Sequence, residues 1–214
     1  MDSVFDRARI FSALGDPRRL EIVDELSMSD RTPNELIQKF EIPSALLAHH
    51  LDVLEDAGLI RRIASSADKR KRFVQIVRNN LPNIPRFAIP KSVIFVCRQN
   101  SARSQLAEAL WRLHLGPNVE SAGTKPAIDV HPLTRKIAAL HQLDVDNSAP
   151  RMFEPSAING QTIITVCDQS YEELKPPFRH FHWSITDPAE ANTLEAFEQT
   201  IHDLSERLRS LVNT

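Results

Sequence analysis

Eight consecutive residues, from Cys97 to Ser104, combine a thiol with groups that bind an oxyanion. They read Cys-Arg-Gln-Asn-Ser-Ala-Arg-Ser, with Arg103 six positions after the cysteine. A short loop around an anion directs successive backbone N–H groups at it, and the N-terminus of a following helix adds partial positive charge. Arg103 can hold two anion oxygens in a bidentate fork. The predicted oxyanion-binding residues are Arg98, Gln99, Asn100, Ser101, Ala102 and Arg103.

The same positive field favours the thiolate form of Cys97, which is the nucleophilic form of a cysteine. Ser104 can donate its hydroxyl to that sulfur and ease its departure as a leaving group. Asn100 tolerates left-handed backbone angles and can brace the loop. The segment therefore predicts a thiolate that attacks a bound oxyanion, the alternative being a buried core cysteine near an exposed arginine.

The elements around this loop alternate between apolar strands and helices. Such alternation is typical of an α/β domain with a parallel sheet flanked by helices. The loop then lies between a strand and a helix. Strands are predicted at residues 92–96, 118–122 and 162–166, and helices at 104–115, 132–143 and 194–212.

The first third of the chain has a mainly α pattern that ends in a hairpin. Asp16 and Thr32 are each followed by proline, which predicts helix starts with a capping side chain. Ser44 is predicted to cap a fourth helix. The order of elements is that of a winged helix-turn-helix. Helices are predicted at residues 2–13, 17–27, 33–40 and 44–57, and hairpin strands at 59–64 and 72–77.

The fourth helix and the hairpin are predicted to bind DNA. Leu47, Leu51 and Leu54 share one face of this helix, so the other face can look into the major groove. The hairpin carries six basic residues against one acid, which fits a clamp on phosphates. The alternative for the hairpin is a solvated turn. The predicted DNA-binding residues are Ser44, Ala45, Leu46, His49, Arg61, Arg62, Lys69, Arg70, Lys71 and Arg72.

Three prolines separate the two patterns. Pro82, Pro85 and Pro90 lie in a stretch without helical or strand periodicity, which predicts a stiff linker rather than a loop within one domain. We therefore expect a winged-helix domain at residues 1–78, a linker at 79–91 and an α/β domain at 92–214.

Composition narrows the functional classes. The net charge of −2 excludes a uniformly basic nucleic-acid binder but allows a local basic patch. No apolar run approaches the roughly 20 residues of a membrane span, and the N-terminal residues lack the apolar core of a secretory signal. Two cysteines suit a reducing compartment. We expect a cytoplasmic protein.

Residues 3–78 resemble the ArsR-type winged-helix repressors, above all in FSALGDPRRLEIVDEL and SALLAHHLDVLEDAGLIRR. The resemblance implies a homodimer that binds a double-stranded DNA operator and leaves it when a metal or metalloid binds. The helix TPNELIQKF lacks the cysteines of the metalloid-sensing members. His49 and His50 point about 100° apart on a helix, so no metal site is predicted.

Residues 92–212 resemble the low-molecular-weight protein tyrosine phosphatase fold, which arsenate reductases share. The family loop usually reads Cys-x-x-Asn-x-x-Arg-Ser, and Cys97, Asn100, Arg103 and Ser104 match it residue by residue. The resemblance implies that Cys97 is the nucleophile and Arg103 the oxyanion clamp.

The same resemblance gives roles to Asp187 and Cys167. Asp187 precedes a proline, as the family's general acid does; the alternative is the cap of a following turn. Ala189 stands where phosphatases usually carry an aromatic residue, which favours the reductase branch. Cys167 ends the second apolar strand, like the cysteine that attacks the adduct in thioredoxin-coupled reductases. The loop that carries a further cysteine there has none here, so Cys167 resolves Cys97 directly, an external thiol does, or Cys167 is structural.

Three functional hypotheses remain. The favoured one is a DNA-binding transcriptional regulator fused to an arsenate reductase-like domain, which binds no cofactor and needs an external thiol reductant or a thiol redox partner. The alternatives are a phosphatase with a DNA-binding domain and a non-catalytic, oxyanion-sensing repressor. Fold-level likeness alone carries no activity, so the loop residues are the basis of the enzyme hypothesis.

Overall fold

The computed structural model describes residues 3–80, 90–145, 149–158, 160–174 and 180–212. The chain divides into two compact units, Met1–Phe87 and Ala88–Thr214. Each unit has its own apolar core. Most of the predicted linker, residues 79–91, lies outside the described residues.

The first unit consists of four helices followed by a two-stranded antiparallel hairpin, as predicted. The hairpin register places Ile60 opposite Ile76 and Ala64 opposite Arg72. The elements are α1 (Val4–Leu14), α2 (Pro17–Met28), α3 (Pro33–Phe40), α4 (Ser44–Asp56), β1 (Ile60–Ala64) and β2 (Arg72–Ile76), and a 3₁₀ turn follows at Arg78–Asn80.

The helix starts follow the cap signals in two of three cases. The side chains of Asp16 and Thr32 accept the N–H groups of the third helical residues of α2 and α3. The prediction that Ser44 caps α4 is wrong, because Pro43 occupies the cap position and no side chain caps this helix. Ser44 is the first helical residue, and its hydroxyl plays no capping part.

The core of the first unit is built on the apolar face of α4. Leu47, Leu51 and Leu54 are all buried, as the helical spacing predicted, and they share a cluster with Ile22 of α2 and Leu36 of α3. Burial of each such side chain contributes about 1.5–3 kcal/mol to folding. This packing holds α4 against the body of the unit and leaves its opposite face in solvent.

A short segment between α2 and α3 anchors the hairpin. Arg31 pairs with Val74 of β2 through two backbone hydrogen bonds, of 2.7 and 3.3 Å. Beside it, the Gln75 amide donates to the Asp30 carboxylate at 2.7 Å, and both side chains are buried. The hairpin therefore has a third, one-residue partner that sequence periodicity did not predict.

The second unit is an α/β domain with a four-stranded parallel sheet in the order β4-β3-β5-β6. Its elements are β3 (Val93–Cys97), α5 (Arg103–Leu115), β4 (Val119–Gly123), α6 (Pro132–Leu140), β5 (Thr162–Thr165), α7 (Asp168–Glu173), β6 (His180–His182), α8 (Pro188–Ala191) and α9 (Leu194–Val212), with a 3₁₀ turn at Pro155–Ala157.

Apolar side chains cover both faces of the sheet. Along β3, Val93, Phe95 and Cys97 belong to the cluster that includes α5 and α9, whereas Ile94 and Val96 belong to a second cluster on the other face. This alternation explains why β3 reads as a continuous apolar run. The predicted parallel sheet is confirmed; α7, α8 and β6 are additions, each too short to show a periodic pattern.

Glu41, the residue that directly follows α3 and caps its C-terminus, has a left-handed backbone with φ of 52°. An L-residue pays a steric cost there that glycine avoids. We predict that Glu41→Gly stabilises the first unit by about 1 kcal/mol, seen as a higher urea midpoint in far-UV circular dichroism.

Glu41→Ala is the matched control and should give no gain, because alanine keeps the Cβ. Fluorescence of the two tryptophans, Trp111 and Trp183, reports on the second unit and should not shift in either variant. A midpoint that falls with glycine would contradict the argument from backbone strain.

Candidate active site and nucleic-acid interface

The predicted oxyanion loop lies at the carboxyl edge of the parallel sheet. Cys97 is the last residue of β3, Arg103 is the first residue of α5, and residues 98–102 connect them. Because β3 has β4 on one side and β5 on the other, the loop leaves the sheet from an interior strand. Ligands of open α/β sheets bind at this edge.

The carbonyl oxygens of the loop are bonded to a neighbouring segment, residues 124–134. Backbone N–H groups donate from Thr124 to Cys97, from Lys125 to Arg98, from Ala127 to Gln99 and from His131 to Ser101, at 2.8–3.1 Å. Of the other two loop carbonyls, that of Asn100 accepts the side-chain amide of Gln105 at 3.2 Å, and that of Ala102 accepts the Leu106 N–H at 2.9 Å.

This pairing determines where the loop N–H groups point. In a trans peptide the N–H is directed opposite to the preceding C=O, and the described chain contains no cis peptide bond. The N–H groups that follow the bonded carbonyls therefore point away from residues 124–134. The N–H of Asn100 illustrates the direction, because it donates to the Sγ of Cys97 at 3.2 Å.

Gly123, at the end of β4, permits this close approach of the loop. A Cβ atom at this position would lie 2.7 Å from the Arg98 carbonyl oxygen and 3.0 Å from the Asn100 nitrogen. The first distance is too short for a carbon atom, the second is tighter than an ordinary contact, and both partners are backbone atoms. Nothing in the local sequence pattern indicated that this glycine is required.

The Cys97 sulfur lies among hydrogen-bond donors. Its Sγ is 3.0 Å from the Ser104 hydroxyl. The Ser104 oxygen also accepts the Asn100 side-chain amide at 2.8 Å, so its own proton is free to point at the sulfur. The structure thus brings together Cys97 and Ser104, which sequence analysis paired.

Asn100 has the left-handed backbone for which its residue type is suited, with φ of 50°. Its side chain is buried and reaches three elements: the amide also donates to Ser121 of β4 at 2.9 Å, and the carbonyl oxygen accepts the Arg151 N–H at 2.8 Å. The bracing role predicted for Asn100 therefore corresponds to a hub of observed hydrogen bonds.

Arg103 is 5% exposed and contacts the segment before α8. Its Nη2 lies 2.5 Å from the Oδ2 of Asp187, and its Nη1 donates to the Ile185 carbonyl at 3.1 Å. The other oxygen of Asp187 accepts the Ala189 N–H at 3.1 Å and so caps α8. The capping alternative for Asp187 is observed, and it leaves one carboxylate oxygen on the arginine.

The second cysteine of the chain, Cys167, lies close enough to Arg103 and Cys97 to interact with them electrostatically. β5 ends at Thr165, so the prediction that Cys167 ends the strand is wrong: it caps α7, and its sulfur accepts the Ser170 N–H at 3.3 Å. Burial raises the pKa of the Cys167 thiol, Arg103 opposes that effect, and Cys97 adds to it. The Cys167 thiol is therefore within electrostatic reach of both Arg103 and Cys97.

The other predicted loop residues have structural contacts. Arg98 forms an ion pair of 2.8 Å with Glu173 at the end of α7, and Lys125 approaches the same carboxylate at 3.7 Å. The Ser101 hydroxyl donates to the Gln99 side chain at 3.4 Å. Ala102, buried, precedes α5 at its cap position. The Arg98 pair connects the loop to the helix that follows Cys167.

On α4, the residues predicted to read DNA are exposed. Ser44, Ala45, Leu46 and His49 all lie at the surface. His50, in contrast, is buried, and burial lowers the pKa of its imidazole, although Asp16 at 4.0 Å opposes the effect. The adjacent histidines thus face different environments.

The basic hairpin residues divide into a stem and a tip. Arg62 is held by Asp52 and Glu55 of α4, at 2.7 and 2.5 Å. Arg61 donates to Gln75 at 3.0 Å. Arg62 therefore ties β1 to α4, a role that its inclusion among phosphate contacts did not anticipate.

The tip carries the exposed side chains Lys69, Arg70, Lys71 and Arg72. Arg70 pairs with Asp68 at 3.1 Å within the turn, and Arg72 donates to the Lys69 carbonyl at 2.9 Å. In the described ranges no cluster of three histidine, cysteine, aspartate or glutamate side chains could hold a metal ion. Nor is any described helix long and apolar enough to cross a membrane.

Family models match both units. Residues 92–214 match the model described as "Low molecular weight phosphotyrosine protein phosphatase". Residues 16–62 match "Bacterial regulatory protein, arsR family". The two matches lie in different units and leave residues 63–91 between them.

Curated relatives resemble the second unit. An arsenate reductase of Bacillus licheniformis is 32% identical over 135 residues, which cover 58% of this chain and 96% of the relative. An arsenate reductase of Bacillus cereus strain AH187 is 30% identical over 130 residues, again 58% and 96%.

Solved structures share the fold of the second unit. The arsenate reductase of Archaeoglobus fulgidus is 28% identical, with a TM-score of 0.50 and coverage of 57% of this chain and 100% of the other. The Erwinia amylovora tyrosine phosphatase AmsI is 19% identical, with a TM-score of 0.53 and coverage of 62% and 97%.

One further hydroxyl supports the loop from outside. Thr134, in α6, is fully buried, and its Oγ1 donates to the Ser101 carbonyl at 2.9 Å, beside the His131 N–H. Two donors on one carbonyl fix the plane of the peptide that carries the Ala102 N–H. We predict that Thr134→Val weakens inorganic phosphate binding about fivefold to tenfold, the loss expected for one hydrogen bond, as measured by calorimetric titration.

Thr200→Val is the matched control, because the Thr200 hydroxyl is also buried but bonds the Ala196 carbonyl within α9. It should leave the dissociation constant for phosphate unchanged, and Thr134→Ser should restore it. Phosphate binding of Thr134→Val equal to that of the unmodified protein would show that this hydroxyl does not orient the loop.

Proposed function

Because the chain belongs to the low molecular weight phosphotyrosine protein phosphatase family and joins that domain to an ArsR-type helix-turn-helix, we propose that it is a DNA-binding regulator whose second unit reduces arsenate. The observation that carries the proposal is the environment of the Cys97 sulfur. A loop N–H and the Ser104 hydroxyl both approach it, and the loop carbonyls are turned to the other side.

Arsenate fits this site as a tetrahedral oxyanion. The N–H groups of residues 98–103 and the start of α5 supply donors and partial positive charge. Arg103 supplies a fork for two oxygens. In the described structure that fork is held by Asp187 and the Ile185 carbonyl, so an entering oxyanion takes the place of a carboxylate on the same guanidinium.

The first chemical step joins sulfur to arsenic. The Cys97 thiolate attacks arsenic(V), a sulfur–arsenic bond forms and an arsenic–oxygen bond breaks. Asp187, displaced from Arg103, donates a proton to the departing oxygen, which leaves as water. Ser104, hydrogen-bonded to the sulfur, stabilises the Cys97 thiolate before it attacks.

The second step needs another thiol. A thiolate attacks the Cys97 sulfur, a disulfide forms, and the sulfur–arsenic bond breaks with its electron pair left on arsenic, which departs as arsenite. Two thiols are oxidised by two electrons while arsenic(V) becomes arsenic(III). Cys167 is the candidate within the chain, since its thiol interacts electrostatically with Cys97; a small external thiol or a redox partner then reduces the disulfide.

The first unit supplies DNA binding in this proposal. The exposed face of α4 enters the major groove, and the hairpin tip contacts phosphates. A homodimer would present two such faces to an operator with two half-sites. Arg62 of β1 remains paired with Asp52 and Glu55 of α4 and so holds the hairpin at a fixed distance from that helix.

Phosphomonoester hydrolysis is the second candidate for the same loop. It requires Cys97, Arg103 and Asp187 but no second thiol, since water releases a phosphocysteine. Its support is the match of residues 92–214 to the family model of phosphotyrosine protein phosphatases. Assays of arsenate with several thiol reductants and of phenyl phosphate, on one sample, separate the two activities; if neither turns over while arsenate alters DNA affinity, the protein is an oxyanion sensor.

We predict that Arg103→Lys lowers kcat/KM for arsenate by on the order of 10²–10³, because lysine keeps the charge but loses the fork. Arg98→Ala is the matched control within the loop, since Arg98 binds Glu173; its effect should stay within a few-fold. Steady-state assays with a thiol reductant measure both. Equal losses in the two variants would contradict the assignment of the clamp.

We predict that a single turnover of arsenate leaves a Cys97–Cys167 disulfide in the unmodified protein and none in Cys167→Ala, as detected by mass spectrometry of the alkylated protein. If the variant instead turns over normally and carries the added thiol on Cys97, an external thiol is the resolving group and Cys167 is structural.

The same reaction should depend on pH in a defined direction. Burial raises the pKa of Cys167 above the ordinary thiol value, so the thiol is neutral near pH 7 and the attacking thiolate becomes more abundant as pH rises. The rate of disulfide formation is therefore expected to increase throughout the range from pH 7 to 9. A rate that falls over this interval would exclude Cys167 as the attacking group.

A further inference from the structure

The exposed face of α4 is unusually apolar where it begins. Ala45, Leu46 and Ala48 are all exposed, and 44% of the Leu46 surface is in contact with solvent. A single exposed leucine needs no explanation. Here, however, three of the five exposed residues in the first six positions of the helix offer only hydrocarbon, and the other two are Ser44 and His49.

The start of α4 has no side-chain cap. Pro43 occupies the cap position and makes no capping hydrogen bond. The first N–H groups of a helix carry partial positive charge and suit a phosphate oxygen. A phosphate contact here would place the first turn of α4, with its methyl groups, against the floor of the major groove.

Charge on the neighbouring hairpin supports nucleic acid as the occupant. Lys69, Lys71 and Arg72 are exposed at its tip. Within the same unit, Asp52 of α4 is paired with Arg62, which offsets the acid on the outward face. A basic hairpin and an apolar helix start in one unit are together complementary to DNA, in which phosphates flank a groove.

Thymine is the base that matches hydrocarbon in the major groove. Its C5-methyl group projects there, whereas the other bases present only hydrogen-bond donors and acceptors. We infer that Leu46, with Ala45 beside it, reads thymine methyl groups, while His49 hydrogen-bonds a neighbouring base edge. This inference rests on the proposed DNA-binding function and assigns the class of base that the helix selects.

The experiment removes methyl groups from the DNA without changing its base pairing. A duplex is first selected by the full-length protein from a random double-stranded library, and it is then synthesised with deoxyuridine in place of each thymidine in turn. Dissociation constants are measured at one salt concentration for the unmodified protein and for Leu46→Ala. Leu20→Ala is the matched control, because Leu20 of α2 is exposed to a similar extent, 41%.

For the unmodified protein, deoxyuridine at the contacted position should weaken binding about threefold to fivefold, the value of one buried methyl group. Leu46→Ala should bind the thymidine duplex more weakly by a similar factor and should not respond to deoxyuridine at that position. Leu20→Ala should behave like the unmodified protein in both respects.

The outcomes separate this inference from the function on which it rests. If no duplex is selected and none is bound, DNA binding itself fails. If a duplex is bound but deoxyuridine has no effect at any position, or Leu46→Ala responds to it as strongly as the unmodified protein, the reading of thymine by Leu46 is overturned.

Discussion

The site in the second unit depends on where the carbonyl groups of one loop are bonded. Residues 124–134 take up the carbonyls of Cys97, Arg98, Gln99 and Ser101. Since each peptide is planar and trans, its N–H is then directed to the opposite side, where the Cys97 sulfur lies. Donors that are already oriented need no reorganisation when a charge arrives. Asn100 and Thr134 help to fix this orientation of the loop through hydrogen bonds, and Gly123 leaves room for the loop backbone.

The features that sequence analysis predicted are those that depend on the spacing of residues close together in the chain. A buried strand, a seven-residue offset from Cys97 to Ser104 and a following helix were sufficient to predict the loop, because these residues are neighbours in the chain. The pairing of Arg103 with Asp187 joins residues 84 positions apart, and no periodicity describes it. Thr134 and Gly123 carry no chemical signal of their own. Ser44 does not cap α4, because the preceding Pro43 occupies the cap position and Ser44 is already the first helical residue.

In the first unit, local sequence spacing predicted the packing of the helices but not the contacts that hold the hairpin. The core leucines of α4 were predicted by their spacing, since helical periodicity repeats within a few residues. The anchorage of the hairpin was not, because it uses Asp30, Arg31 and Arg62, three polar residues whose partners lie in other elements. Arg62 joins the hairpin to α4, so the two parts of the proposed DNA-binding surface are fixed relative to each other.

Gly123 limits which substitutions the sequence can accept during evolution. Every amino acid other than glycine carries a Cβ, and a Cβ at this position would meet two backbone atoms of the loop at 3.0 Å or less. No missense change in this codon is conservative, however small the new side chain, although glycine contributes no functional group. If the loop functions as proposed, selection should retain this codon as strictly as that of Cys97, and a sequence in which Gly123 is replaced should have lost the loop's function even where Cys97 is still present.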